Sequence, residues 1–284
     1  MQWWHAIVLG IVEGLSEFLP ISSTGHLTVV EKLLGYPIDD AGVTAFTAVI
    51  QVGAILAAVL YFLKDIVRLA VAWFKGVFSK DARDTVDYRL GWGVIVGSLP
   101  IVVVGLALQK VIEGGLRSLW VVAVALIGWS VVLFLADRAS VQVARRGIPR
   151  GEESMTVTDA LILGLWQCVA LIPGVSRSGA TISGALFRGI DRVTATRWSF
   201  FLGIPALLGA GALQAIKASK SISATVGWGP TAVGTLVAFV VAYASIAWLL
   251  RFVALNRFTA FVIYRVLAGL AVIGLLVGGV VTAH

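Results

Sequence analysis

The chain of 284 residues is poor in charge, in acid and in cysteine. Charged residues make up 13% and apolar residues 59%, and the mean hydropathy is +0.96. A soluble domain carries roughly 25% charged and about 45–50% apolar residues. The polar surface that a water-exposed globule of this size needs is missing, so a soluble protein is excluded and an integral membrane protein remains. The single cysteine, Cys168, excludes an intramolecular disulfide and any cysteine-based metal cluster. It lies in an apolar run and reads as packing. Acids number 15 against 22 Lys and Arg. In a soluble chain that excess of base would suggest nucleic acid, but basic loops near anionic lipid account for it here, and no nucleic-acid partner is expected. Met1-Gln2-Trp3-Trp4-His5 has no basic stretch and no small-residue cleavage site follows it, so no removable signal peptide is expected; Trp3 and Trp4 read as interfacial anchors.

What is present is apolar length. A bilayer core of about 30 Å takes roughly 20 apolar residues in a helix. Six stretches qualify or nearly do: about 46–63, 91–110, 118–136, 200–216, 230–250 and 261–282. Two more, about 6–21 and 157–175, are shorter and break at Pro20-Ile21-Ser22-Ser23-Thr24-Gly25 and at Pro173-Gly174-Val175-Ser176-Arg177-Ser178-Gly179. Such segments read as re-entrant hairpins, since irregular backbone at membrane depth survives only where protein or water satisfies it. A shift of 154 places Gly10 on Gly164, Glu13 on Gln167, Ser22 on Ser176, Gly25 on Gly179 and Phe46 on Phe200. The expected fold is therefore all-α and polytopic, a duplication of about 1–140 and about 155–284. Each half holds one hairpin and three spans, and an odd number of spans inverts the second copy. Inverted repeats with paired broken helices point to a site near their interface. Fifteen basic residues fall on the side of loop 64–90 and five on the side of the N-terminus, with Arg177 and Arg265 left aside as intramembrane. The positive-inside rule then makes the first side cytoplasmic and leaves both termini outside.

The chemistry belongs where charge is most costly. Glu13, Glu17 and Arg177 lie at depth, with His26 close behind, and intramembrane ionisable groups mark substrate or ion pathways. Glu13 and Glu17 share one helical face and repel each other, so they need a cation, a shared proton or an arginine. Arg177 sits among Ser176, Ser178 and Thr181 in a glycine-bearing loop. A guanidinium, hydroxyls and free N–H groups together make a phosphate cradle. The first loop offers Ser22, Ser23 and Thr24 before His26, and a hydroxyl beside an imidazole is an activated nucleophile or a proton relay. The same loop hydroxyls serve equally well as helix caps. If the hairpins meet, one pocket can handle a phosphate ester beside lipid.

Glu13-Gly14-Leu15-Ser16-Glu17-Phe18-Leu19-Pro20-Ile21-Ser22-Ser23-Thr24-Gly25-His26 resembles the first signature of the bacterial undecaprenyl-diphosphate phosphatase family, also called the bacitracin-resistance protein. Pro173-Gly174-Val175-Ser176-Arg177-Ser178-Gly179-Ala180-Thr181 resembles the second, and Trp198-Ser199-Phe200-Phe201-Leu202-Gly203-Ile204-Pro205 the segment that follows it. The resemblance implies removal of the terminal phosphate from a C55 isoprenyl diphosphate in the bacterial plasma membrane, from a pocket facing the periplasm or exterior. The product would be the lipid monophosphate carrier of cell-wall synthesis. The resemblance also implies a divalent cation, Mg²⁺ or Ca²⁺, on Glu13 and Glu17. It casts Glu17, Ser23, His26 and Arg177 as catalytic, and Ser22, Thr24, Ser176, Ser178 and Thr181 as substrate-binding. It leaves open whether Ser23, His26 or water is the nucleophile. The oligomeric state, a homodimer included, is open too.

A transporter or flippase is the serious alternative, because inverted repeats with broken helices are also transporter architecture. A prenyl-chain synthase is disfavoured by the lack of an aspartate-rich D-D-x-x-D segment. A phosphatidic-acid-type phosphatase is disfavoured by the lack of its later His and Asp.

Overall fold

The computed structural model describes residues 1–37, 40–114, 116, 118–147 and 149–283; of residues 110, 113, 210, 212–221, 224 and 225 it describes the backbone alone. Helices dominate the described residues, and none of these lies in a β-strand. In chain order they are α1 (Trp3–Ser16), α2 (Ser23–Leu33), α3 (Ala41–Tyr61), α4 (Leu63–Phe78), α5 (Val86–Ala107), α6 (Gln109–Glu113), α7 (Leu119–Arg146), α8 (Val157–Cys168), α9 (Arg177–Phe187), α10 (Arg192–Ser221), α11 (Trp228–Leu255) and α12 (Thr259–Val277).

Five of these, α3, α5, α7, α11 and α12, are long and apolar enough to cross a membrane. Polar side chains set where several begin. Asp40 accepts from the Val43 N–H at 2.8 Å to start α3, Thr85 caps α5 and Ser118 caps α7. Such caps satisfy N–H groups that the helix itself leaves open. The sixth expected span, 200–216, falls in α10, whose described side chains end before it does. Arg117 lies outside the described residues, as do the side chains of Lys110, Lys217 and Lys220. These four were counted among the five basic residues on the N-terminal side.

The expected short segments are short. At about 1.5 Å per residue the 14-residue α1 spans about 21 Å and the 12-residue α8 about 18 Å, less than a bilayer core. Each is followed by a loop and an 11-residue helix, α2 or α9. Both following helices start at a serine in the left-handed region, Ser22 at φ 78° and Ser176 at φ 79°. Among the described residues no other non-glycine has positive φ. Each serine Oγ accepts from the N–H three residues on, Gly25 at 3.4 Å and Gly179 at 3.2 Å.

α1 packs against α11, and α8 against α5; α3 lies between α11 and α10, and α7 packs on α12 and α9. Small residues let the first two pairs approach closely. A Cβ on Gly10 would stand 2.6 Å from the Gly234 carbonyl oxygen, and one on Gly164 2.1 Å from that of Gly97. The core mixes both halves of the chain: Phe200 meets Phe18 edge-on at 5.3 Å between ring centres and Phe62 at 5.6 Å. Leu56, Val103, Val124, Leu236 and Leu267 face outward, as a lipid-facing surface requires. At the start of α8, buried Asp159 closes a capping box with Thr156 and receives Arg150 at 2.6 Å and Arg188 at 2.7 Å. These bonds tie the start of α8 to Arg150 ahead of it and to Arg188 at the end of α9.

Candidate active site

The loops after α1 and α8 meet although about 154 residues separate them. Arg177, the first residue of α9, donates from Nη2 to Glu17 Oε1 at 3.3 Å and from Nη1 to the Ser199 carbonyl at 2.8 Å. Little of either ionic side chain is exposed, 11% of Arg177 and 4% of Glu17. Such a pair holds together where neither charge is stable alone. Glu17 Oε2 accepts the Ser23 hydroxyl at 2.5 Å and the Gln51 amide at 3.4 Å. A four-residue chain thus runs from α9 through the first loop to α2 and α3. Gly203 makes room for it, since a Cβ there would lie 1.6 Å from Arg177 Nη1.

Glu13 behaves differently. It is 1% exposed, and neither carboxylate oxygen has a hydrogen-bond partner among the described residues. Arg177 therefore answers Glu17 and not both acids. Glu13 lines a cavity of about 250 Å³ together with Ser23, Thr24, Thr28, Glu31, Thr47 and Gln51, and Ser118 and Leu116 line it too. Its donor atoms are almost all oxygens, which suits a hard cation or a hydrated anion. No group of three or more His, Cys, Asp or Glu side chains among the described residues is arranged to hold a metal by itself.

The remaining expected residues divide. His26 is close to Ser23 in sequence but is engaged elsewhere. Its Nδ1 lies 2.8 Å from the Ser22 carbonyl, which can only accept, and so carries the proton; Nε2 then accepts the Tyr264 hydroxyl at 2.8 Å. The two rings stack at 5.5 Å. The expected Ser23–His26 couple is thus replaced by Ser23–Glu17. Ser22 and Ser176 are caps, Ser178 Oγ donates across to the Leu19 carbonyl at 2.9 Å, and Thr181 Oγ1 donates back to the Arg177 carbonyl at 3.0 Å. Of the second loop, only the Arg177 side chain reaches Glu17. Thr24 lines the cavity.

Two residues were missed. Gln51 is a lone amide in an apolar span, and that isolation was its signal. Arg265 was set aside as intramembrane without a role. It is fully buried in α12 and donates to Pro20 O and Gly174 O, each at 3.0 Å, and to Ala125 O and Ser130 Oγ at 3.4 and 3.3 Å. One guanidinium thus pins both loops, through Pro20 O and Gly174 O, and ties them to α7 through Ala125 O and Ser130 Oγ.

A multi-pass helical membrane protein with a buried carboxylate–arginine–hydroxyl chain beside a polar cavity is the class that fold and site define. The family described as bacitracin resistance protein BacA matches residues 6–271, and the chain belongs to it. Over its whole length the chain is similar to an undecaprenyl-diphosphatase of Cutibacterium acnes, 57% identical over 290 residues with all of both chains covered. An undecaprenyl-diphosphatase 3 of Frankia casuarinae is 53% identical, again over all of both chains. An undecaprenyl-diphosphatase 1 of Streptomyces avermitilis is 54% identical over 98% of each.

Proposed function

We propose that this protein hydrolyses undecaprenyl diphosphate to undecaprenyl phosphate and inorganic phosphate, recycling the lipid carrier of cell-wall synthesis and conferring bacitracin resistance. One observation carries the site: Glu17 accepts the Ser23 hydroxyl and the Arg177 guanidinium together. Ser23 Oγ attacks the terminal phosphorus and Glu17 takes its proton. The bond from that phosphorus to the bridging oxygen breaks, and the lipid monophosphate leaves with the electron pair. Water then hydrolyses the phosphoserine, and the proton returns from Glu17. Arg177, held in place by Ser199, turns from Glu17 to the transferring phosphoryl group and stabilises its charge. His26 is a positioning residue that holds the Ser22 turn.

A divalent cation fits beside this machinery, because Glu13 offers a buried carboxylate with no other partner at the cavity wall. Glu13 and Glu17 would hold Mg²⁺ or Ca²⁺, and when bound the ion would supply charge neutralisation for the diphosphate substrate and for the lipid monophosphate that leaves. Phosphate release from C55 diphosphate by the purified protein in detergent, with and without chelator, is the test. Release that stops on chelation and returns with Mg²⁺ or Ca²⁺ is expected. No release under any condition favours the lipid-flipping alternative, for which detergent leaves nothing to cross. A trapped phosphoserine identifies Ser23 as nucleophile; a phosphohistidine at His26 would identify His26, and turnover with neither points to water.

The fold of this reading is an inverted repeat of about 1–140 and 155–284, with α10 as a sixth span and α1–α2 and α8–α9 as re-entrant hairpins. Its support is pairwise. The α1–α11 contact has its counterpart in α8–α5, the α3–α11 contact in α10–α5, and Ser22 its counterpart in Ser176. The reading has the site towards the outer face of the bacterial plasma membrane, and the basic-residue count supports that orientation. Cysteines placed in loop 64–90 are expected to react with impermeant reagent only after cells are opened; labelling in intact cells would overturn that orientation.

A further inference from the structure

A cavity of about 320 Å³ lies away from this site, at the other end of α7, and Arg138, Arg145, Arg257, Thr259, Phe134 and Asp137 contribute to its wall. Arg138 is twenty residues along the chain from Ser118, about 30 Å of helix and so about one bilayer core. Arg138 and Arg145 share a face of α7 two turns apart. Arg257 comes from the link between α11 and α12. None of the three guanidiniums has an acceptor or an ion-pair partner among the described residues. The acid in the wall does not neutralise them, since Asp137 already accepts Arg192 Nε at 2.7 Å. α12 begins at the same place, and no side chain caps its first turn. Its positive end therefore faces the same space. Below the cavity the same two helices are apolar and exposed, at Phe134, Val131 and Val124 on α7 and at Ile263, Leu267 and Leu270 on α12.

Three unpaired arginines and a bare helix N-terminus make a site for an anion, and the apolar surface directly below it makes that anion one carried by an acyl chain. We propose that this cavity binds the phosphodiester headgroup of an anionic phospholipid, with its chains along α7 and α12. It rests on the membrane reading alone and is independent of the phosphatase activity. On the positive-inside count, the bound lipid belongs to the cytoplasmic leaflet.

The test uses full-length protein stripped of lipid in detergent and titrated with phosphatidylglycerol or with phosphatidylcholine of the same acyl chains, with bound lipid counted by native mass spectrometry. Wild type is expected to prefer phosphatidylglycerol by about tenfold or more, since each nearby basic residue adds to the attraction. That preference is expected to vanish in the Arg138→Gln, Arg145→Gln, Arg257→Gln triple variant. Thr259→Asp is the second variant. An acid in the first turn favours the helix but repels the headgroup, so it should lose the lipid while melting no lower than wild type. Equal binding of the two lipids by wild type, or unchanged preference in both variants, overturns the proposal. Displacement of phosphatidylglycerol by an equal concentration of inorganic phosphate would make the cavity a free-anion site and overturn it as well.

Discussion

At the scale of single residues, the site depends on what a guanidinium does that an ammonium does not. Arg177 spends one nitrogen on the Ser199 carbonyl and another on Glu17, so its orientation is set before substrate arrives. Lysine has one nitrogen and no fork, and would satisfy one partner or the other. Arg177→Lys is therefore expected to lower phosphate release at least about tenfold, from a contact worth more than about 1.4 kcal/mol in the transition state. Near-normal turnover would show that bidentate geometry at this position is not used. The carboxylates, Arg177, Ser23 and the resemblance were all visible in the sequence, because ionisable groups stand out in a chain of apolar residues. The division of labour between them was not. Ser23 is six residues from Glu17 and three from His26, and which of the two it meets depends on the left-handed turn at Ser22. That turn sends the His26 ring to Tyr264, 238 residues away.

At the scale of elements, two short helices end in loops whose carbonyls have no helix to bond them, and a membrane interior makes that expensive. Arg265 is the answer from α12, donating to Pro20 O in one loop and Gly174 O in the other. The short helices and their breaks were legible from length and from proline. Their fastening was not, because a lone arginine in a span carries no sequence mark of its partners. Arg265→Met keeps the volume and apolar stem but removes every one of these bonds, leaving buried carbonyls unsatisfied. A loss of more than about 2 kcal/mol of stability is expected, seen as a lower melting temperature in detergent, together with reduced turnover, since both halves of the site hang from this side chain. An unchanged melting temperature with full activity would mean that the loops hold their shape without it.

At the scale of the whole molecule, one site is assembled from the two halves of the chain, and its charge balance depends on both. Glu17 belongs to the first loop and Arg177 to the helix after the second; Glu17 is buried and Arg177 nearly so, and the bond between them is 3.3 Å. Removing one partner of a buried pair leaves an uncompensated charge and costs about 3–5 kcal/mol, whereas removing both leaves two neutral amides and no orphan. Glu17→Gln and Arg177→Gln are each expected to abolish most activity, and the second substitution should cost little more once the first has been made. Stability discriminates further. The double variant is expected to melt above the worse of the two single variants, because neither Glu17 nor Arg177 is left without the other. Arg177→Gln should be that worse variant, since it leaves Glu17 beside Glu13, whose carboxylate has no other partner among the described residues. Melting and turnover of both single variants and the double decide it: losses that simply add in both measurements would mean that the loops after α1 and α8 act as separate sites and do not share one centre.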